Sequence, residues 1–186
     1  MKYGRLSLGQ IEALVNKIGG MEAVEKILRG ELVVRIKEVI KNFFHLEVNY
    51  NASIEELIRE GKYDWVNDRI TDQNFLINKR GGKKKIKMAL FCFCKTMTSK
   101  EVVVEMEKVN CRPAELHEFL AFGINNPEEQ SRGPVVGLGS PYHDPRGVRA
   151  IPFLDMGAAG RTLCLDYFDH YNMRWDARYR FLAVGK

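Results

Sequence analysis

The chain has 186 residues, 45% hydrophobic and 28% charged, with 29 Lys and Arg against 24 Asp and Glu for a net charge of +5. Intrinsic disorder is excluded, because Leu, Ile, Val and aromatic side chains are abundant enough to offset ordering entropy, and a domain of this length buries about 70% of its extended surface without metal or disulfides. No apolar run approaches the roughly 20 residues of a bilayer span, and Met1-Lys2-Tyr3-Gly4-Arg5 lacks the apolar stretch of a secretory signal, so a cytoplasmic globular protein without membrane association is expected.

In chain order, Ser7 is placed to cap a first helix whose stripe is Ile11, Leu14, Val15 and Ile18. Gly19-Gly20 stop it, and a second helix from about Met21 to Arg29 carries Val24, Ile27 and Leu28 inward before Gly30. Two short helices joined by glycines suggest helix-turn-helix DNA binding, but Glu22 and Glu25 oppose phosphate. A helical appendage over 1–31 that docks on the main body or mediates homo-oligomer assembly is the expectation.

The remainder, 32–186, reads as an α+β domain with a mixed or antiparallel sheet and two central helices. Residues 32–36 and 43–48 are β-rich, and a helix between Asn49 and Gly61 has Ser53 as cap and Ile54, Leu57 and Ile58 as its stripe. Asp64, Asn67, Asp68 and Asp72 surround Trp65, but the glycine and distal glutamate of a hand-type calcium loop are missing, which favours an extended crossing segment. The run Lys79-Arg80-Gly81-Gly82-Lys83-Lys84-Lys85, followed by Lys87, has two readings, a phosphate contact or a solvated hairpin loop; it contains no aromatic residue to stack on bases.

The most apolar strand, 86–93, follows. Ser99 is placed to cap a helix bearing Val102, Val103 and Met106, and Arg112-Pro113-Ala114-Glu115 opens another with Leu116, Phe119, Leu120 and Phe122 inward. Short strands over 134–140, 148–154, 162–167 and 179–184 are joined by the turns His143-Asp144-Pro145-Arg146-Gly147 and Met156-Gly157-Ala158-Ala159-Gly160. Cys92 and Cys94, two apart on a strand, lie about 6.5 Å from each other, too far for a relaxed disulfide; with Cys111 and Cys164 they read as buried free thiols.

Tyr63-Asp64-Trp65-Val66-Asn67, Arg112-Pro113-Ala114, Val136-Gly137-Leu138-Gly139-Ser140 and the closing Tyr179-Arg180-Phe181-Leu182-Ala183-Val184 resemble a family of uncharacterised bacterial proteins of unassigned function, which implies no activity. From about Lys84 the order strand, helix, helix, four strands is similar to the C-type lectin-like fold, where a Trp-Ile-Gly-Leu strand follows the second helix as Val135-Val136-Gly137-Leu138 does here. The chain lacks that tryptophan, the fold's two disulfides and its Glu-Pro-Asn motif. The resemblance therefore extends to the order of elements and not to calcium-dependent sugar binding.

The richest chemistry lies over 166–176. Tyr167, Asp169, His170, Tyr171, Asn172, Arg174, Trp175 and Asp176, joined by Tyr142 and His143, have the composition of a recognition surface. The competing reading packs Phe168 and Trp175 inward and leaves the polar residues solvated. A metal-dependent hydrolase centred on His143, Asp144, Asp169 and His170 is a further alternative, but nothing fixes a nucleophile, and Gly137-Leu138-Gly139-Ser140-Pro141 leads into proline instead of the helix a phosphate cradle needs. The expectation is a non-enzymatic binding protein for a protein or other ligand, with no cofactor and no metal. The alternative is a nucleic-acid-associated protein using Lys79, Arg80, Lys83, Lys84, Lys85 and Lys87.

Overall fold

The computed structural model describes residues 7–32, 40–75, 81–93, 95–167 and 174–186, with main chain alone at 40–42 and Tyr167. The chain divides into two compact units, Met1–Lys37 and Glu38–Lys186.

The first unit contains α1 (Leu8–Lys17) and α2 (Gly20–Leu28). Ser7 caps α1 with a reciprocal capping box to Gln10, two orphan N–H groups being satisfied at once. Gly19, at φ 110°, takes the left-handed turn that separates the helices. No residue of either helix is buried, and Leu8, Leu14, Met21 and Leu28 are exposed.

The second unit is α+β. Its elements are β1 (Ile40–Asn49), α3 (Ile54–Gly61), β2 (Trp65–Val66), β3 (Lys83–Cys92), α4 (Ser99–Glu107), β4 (Cys111–Pro113), α5 (Leu116–Asn125), a 3-10 turn (Pro127–Arg132), β5 (Val135–Val136), β6 (Tyr142–His143), β7 (Arg149–Gly157), β8 (Gly160–Tyr167) and β9 (Arg180–Gly185). One mixed sheet runs β1-β3-β9-β5-β7-β8-β2, with β4 added on β9 and β6 on β7. The pairs β5–β9 and β2–β8 are parallel and the others antiparallel. Of the expected strands, 33–36 lie outside the described residues, and Leu32 is exposed.

Period-2 alternation divides the sheet between two cores. Val48, Met88 and Leu90 face a first core with Ile54 and Leu57 of α3 and Leu116, Phe119, Leu120 and Phe122 of α5; Phe44 packs edge-on to Phe122 at 5.0 Å. Ala89 and Phe91 face the opposite way, into a second core with Val102 and Met106 of α4 and Phe181 and Ala183 of β9. Among the described residues no helix is long and apolar enough to cross a membrane. Cys92 and Cys111 are buried free thiols and Cys164 is half-buried; Cys94 lies outside the described residues.

Two local expectations need correction. Thr98, not Ser99, is the α4 cap and forms the box with Glu101, while Ser99 begins the helix with its hydroxyl turned to the second core. Pro113 lies in β4 instead of the first turn of α5, and Glu115 is the residue before that helix.

Helix α5 is held by an internal carboxylate. Glu118 is fully buried and accepts from both terminal nitrogens of Arg112 at 2.5 and 2.8 Å, from the Tyr50 hydroxyl at 2.6 Å and from the Glu115 N–H at 2.7 Å. Burial pushes the Glu118 carboxyl up, but hydrogen bonds from Arg112, Tyr50 and Glu115 outweigh it and hold its pKa below the usual carboxylate range. The Arg112 guanidinium is raised, first by the hydrogen bond to Glu118, in agreement. A folded-state pKa below the unfolded value contributes stability that is complete above about pH 4.3 and disappears as pH falls through the lower folded value. Acid titration of the melting temperature should therefore show a loss starting near pH 4. Glu118→Gln should lower stability at neutral pH by about 3–5 kcal/mol and flatten that acid slope; an unchanged slope would remove Glu118 from this role.

Candidate functional site

A cleft of about 570 Å3 opens where three separated segments meet: Gln73, Asn74 and Phe75 after β2, Glu115, Leu116 and His117 at the start of α5, and Gly139, Ser140, Pro141, Tyr142, His143 and Pro145 around β6. Each wall has a local cause. The Ser140 hydroxyl accepts the Leu116 N–H at 3.0 Å, joining the loop to an orphan donor of the helix start. Gly139 donates to the Ala114 carbonyl at 3.0 Å, and a Cβ there would stand 2.5 Å from that oxygen, so only glycine permits the approach. His117 is buried, its Nε2 lies 2.9 Å from the Ala52 carbonyl oxygen, and its ring stacks on Tyr50. Phe75 and Tyr142 are buried with ring centroids 5.9 Å apart and form the apolar floor. His143, Gln73 and Asn74 are exposed at the rim, beside the half-buried Glu115.

Tyr142 and His143 thus belong to one concavity. In the ladder, Tyr142 pairs with Ala150 and Ala150 with Tyr167, so the backbone end of β8 lies two strands from Tyr142 on the same sheet. Asp169, His170, Tyr171 and Asn172 lie outside the described residues, as does the side chain of Tyr167.

The described end of the 166–176 stretch departs from an outward display. Trp175 is an interior residue: it forms an antiparallel bridge with Met97, donates its indole N–H to Ser99 at 2.5 Å, and packs against Tyr179 at 4.9 Å and Phe181 at 5.9 Å. Burying so large a ring with its N–H satisfied is favourable, so the packed reading holds for this ring. Arg174 is exposed and pairs with Glu101 at 3.5 Å. Asp176 accepts the Arg178 N–H at 2.8 Å and its guanidinium at 2.9 Å, and the Arg178 hydrogen bonds lower its carboxyl.

Asp144 holds its own turn. Its buried carboxylate accepts the N–H groups of Arg146 and Val148 at 2.8 and 2.9 Å and the Arg146 guanidinium at 2.7 and 2.9 Å. Desolvation raises its pKa, but these donors outweigh it and hold the carboxyl below its usual range. Asp64 likewise accepts the Arg161 N–H, and Asp72 the Ile54 N–H. Among the described residues no three His, Cys, Asp or Glu side chains converge as a metal site.

Lys79 and Arg80 lie outside the described residues. Lys83, Lys84, Lys85 and Lys87 do not form a loop: they are exposed side chains of β3, paired along β1, while Gly81 and Gly82 take the left-handed conformations of a turn. Lys83 pairs with Glu47 at 3.1 Å, and Lys84 stands over the Tyr50 ring at 5.9 Å.

Gln73, Asn74, Phe75, Glu115 and His117 carried no signal as site residues in the sequence. Only Tyr142 and His143 were legible, through the clustered turn residues beside them. Comparison with protein-family models, with curated proteins and with solved structures finds no match to this chain.

Trp175→Ala should destabilise the fold by about 3–5 kcal/mol, as expected for an excised buried ring, whereas Arg174→Ala should leave melting within about 0.5 kcal/mol of the parent. Equal melting of Trp175→Ala and the parent would show that the ring is not structural. Gly139→Ala should cost about 1–3 kcal/mol by overpacking against Ala114, read by denaturant unfolding.

Proposed function

We propose that this protein is a non-enzymatic binding protein that accepts a ligand in the cleft floored by Phe75 and Tyr142 and rimmed by Gln73, Asn74, Glu115 and His143. The observation that carries the reading is a preformed concavity of about 570 Å3, with an aromatic floor and convergent polar groups from three chain segments. Ligand sites are typically about 300–1,000 Å3 and combine these two features. Of the residues of catalytic type there, His117 meets the Ala52 carbonyl and Ser140 accepts from the start of α5, while His143 and Glu115 stand at the rim. Both bonds favour orienting a ligand over transforming it.

The occupant that suits this cleft is a short peptide or a protein loop. The exposed Gln73 amide and the Asn74 amide, whose Nδ2 also donates to the Arg69 carbonyl at 2.9 Å, match backbone groups, and the Phe75–Tyr142 floor takes an apolar side chain. The succession from β3 through α4 and α5 to the late strands is proposed as C-type lectin-like in order. A reducing compartment such as the cytoplasm suits the free thiols of Cys92, Cys111 and Cys164.

A peptide-library screen read by amide NMR shifts tests the proposal. Peptide hits should move the signals of Asn74, Glu115 and His143, and Asn74→Ala or His143→Ala should weaken them about 5–30-fold, the 1–2 kcal/mol of a good contact. Shifts confined to other surfaces, or affinities unmoved by both variants, would overturn it.

A further inference from the structure

The face of the sheet that carries the second core is covered by α4 only over part of its width. Toward the β1 edge the alternation continues beyond that cover: Phe43, His45 and Glu47 on β1 lie opposite Ala89, Lys87 and Lys85 on β3, and Asn49 lies opposite Lys83. Phe43 shares its side of the sheet with Ala89, yet Ala89 is buried and Phe43 is 53% exposed. His45, Lys83, Lys85 and Lys87 are exposed too. The Lys87 ammonium stands 4.0 Å from the Phe43 ring centroid. A shallow concavity beside it is lined by His45, Glu47, Lys85 and Lys87. The basic run read from sequence contained no aromatic residue, and strand pairing supplies one from 40 residues away.

We propose that this open β1–β3 face binds single-stranded nucleic acid, with Phe43 as the stacking ring and Lys85 and Lys87 as phosphate contacts. The proposal is independent of the cleft. Among the described residues of this face, Lys83, Lys85 and Lys87 stand against one carboxylate, Glu47, which neutralises Lys83 at 3.1 Å and leaves Lys85 and Lys87 to face solvent. Their charge complements a phosphate backbone, and successive outward lysines on one strand lie about 6.7 Å apart, a line along which a backbone can run. An exposed ring beside lysines is the combination that sequence-tolerant single-strand binding uses, since every base has a face to stack. Lys87 lies over Phe43 and holds the ring in a defined place, and much of its surface stays in water. A duplex keeps its bases stacked inside and gives Phe43 nothing to stack on, so the chemistry selects single strands. Anionic lipid would use the lysines but not a single stacking ring.

Fluorescence anisotropy of a labelled oligo(dT) of about 15 nucleotides with the full chain tests this across a salt series. Affinity should fall with salt at a log–log slope near −1.4, about 0.7 for each of two phosphate contacts. Phe43→Ala should weaken binding about tenfold at fixed salt and leave the slope unchanged, and Phe43→Trp should restore it. Lys85→Ala combined with Lys87→Ala should flatten the slope by about 1.4. All three positions are exposed, and unchanged melting confirms that each variant folds. Binding of Phe43→Ala within about twofold of the parent, equal affinity for duplex or for anionic vesicles, or no binding at low salt would each overturn the proposal.

Discussion

A carboxylate in a hydrophobic interior is tolerated only when its lone pairs are met, and Glu118 is the side chain on which this architecture turns. Four donors from three parts of the chain converge on it: Tyr50 just after β1, Arg112 in β4, and the Glu115 amide beside α5. Removing any one partner leaves a buried charge under-bonded, so the geometry is self-enforcing. Helix α5 is buried along Leu116 to Gly123, and apolar packing alone would let so apolar a helix slide or rotate. Glu118 fixes its register against β1 and β4. The start of α5 is thereby placed where Ser140 and Gly139 can meet it, and the cleft follows.

The same sheet explains both surfaces. Its two faces are assigned by alternation along β1 and β3, one to α3 and α5 and the other to α4. Arginines join the layers at helix ends where carbonyls would lack partners: Arg161 donates to Gly61 at the end of α3 and to Gly123 in the last turn of α5, and Arg180 donates to the carboxylate of Glu129 and the carbonyl of Gly133. With these joints in place, α4 spans the second face near Phe91 and Phe181, and the alternation beyond it displays Phe43 and the lysines. Exposure of that corner is a consequence of where the helices end.

Local devices were the legible part of the sequence. The Ser7 and Ser53 caps need partners only three residues away, and both form as read, each completed by a reciprocal box. Thr98 and Ser99 are both competent caps, and the choice between them is made by Trp175, whose indole takes the Ser99 hydroxyl from 76 residues away. Trp175 illustrates the wider limit: its flanking residues are charged, and only its bridge to Met97 and its packing against Tyr179 and Phe181 make it interior. The basic run was visible as charge, but its conformation was not, because four lysines become a strand only through pairing with β1. Cleft residues such as Gln73 and His117 have unremarkable neighbours and acquire meaning from long-range contacts. Asp144 is engaged for a local reason that its Asp-Pro-Arg-Gly turn already carried, since such aspartates accept their own backbone N–H groups.

The most direct test of the account is amide hydrogen exchange at the start of α5, comparing the parent chain with Arg112→Met. The account predicts that protection of the Leu116 to Phe119 amides falls by about a hundredfold or more, the 3 kcal/mol or so of a buried charge left alone. The β7–β8 hairpin should retain its protection. Uniform loss across the domain, or undiminished protection at the α5 start, would contradict the claim that Glu118 and its partners set this helix in place.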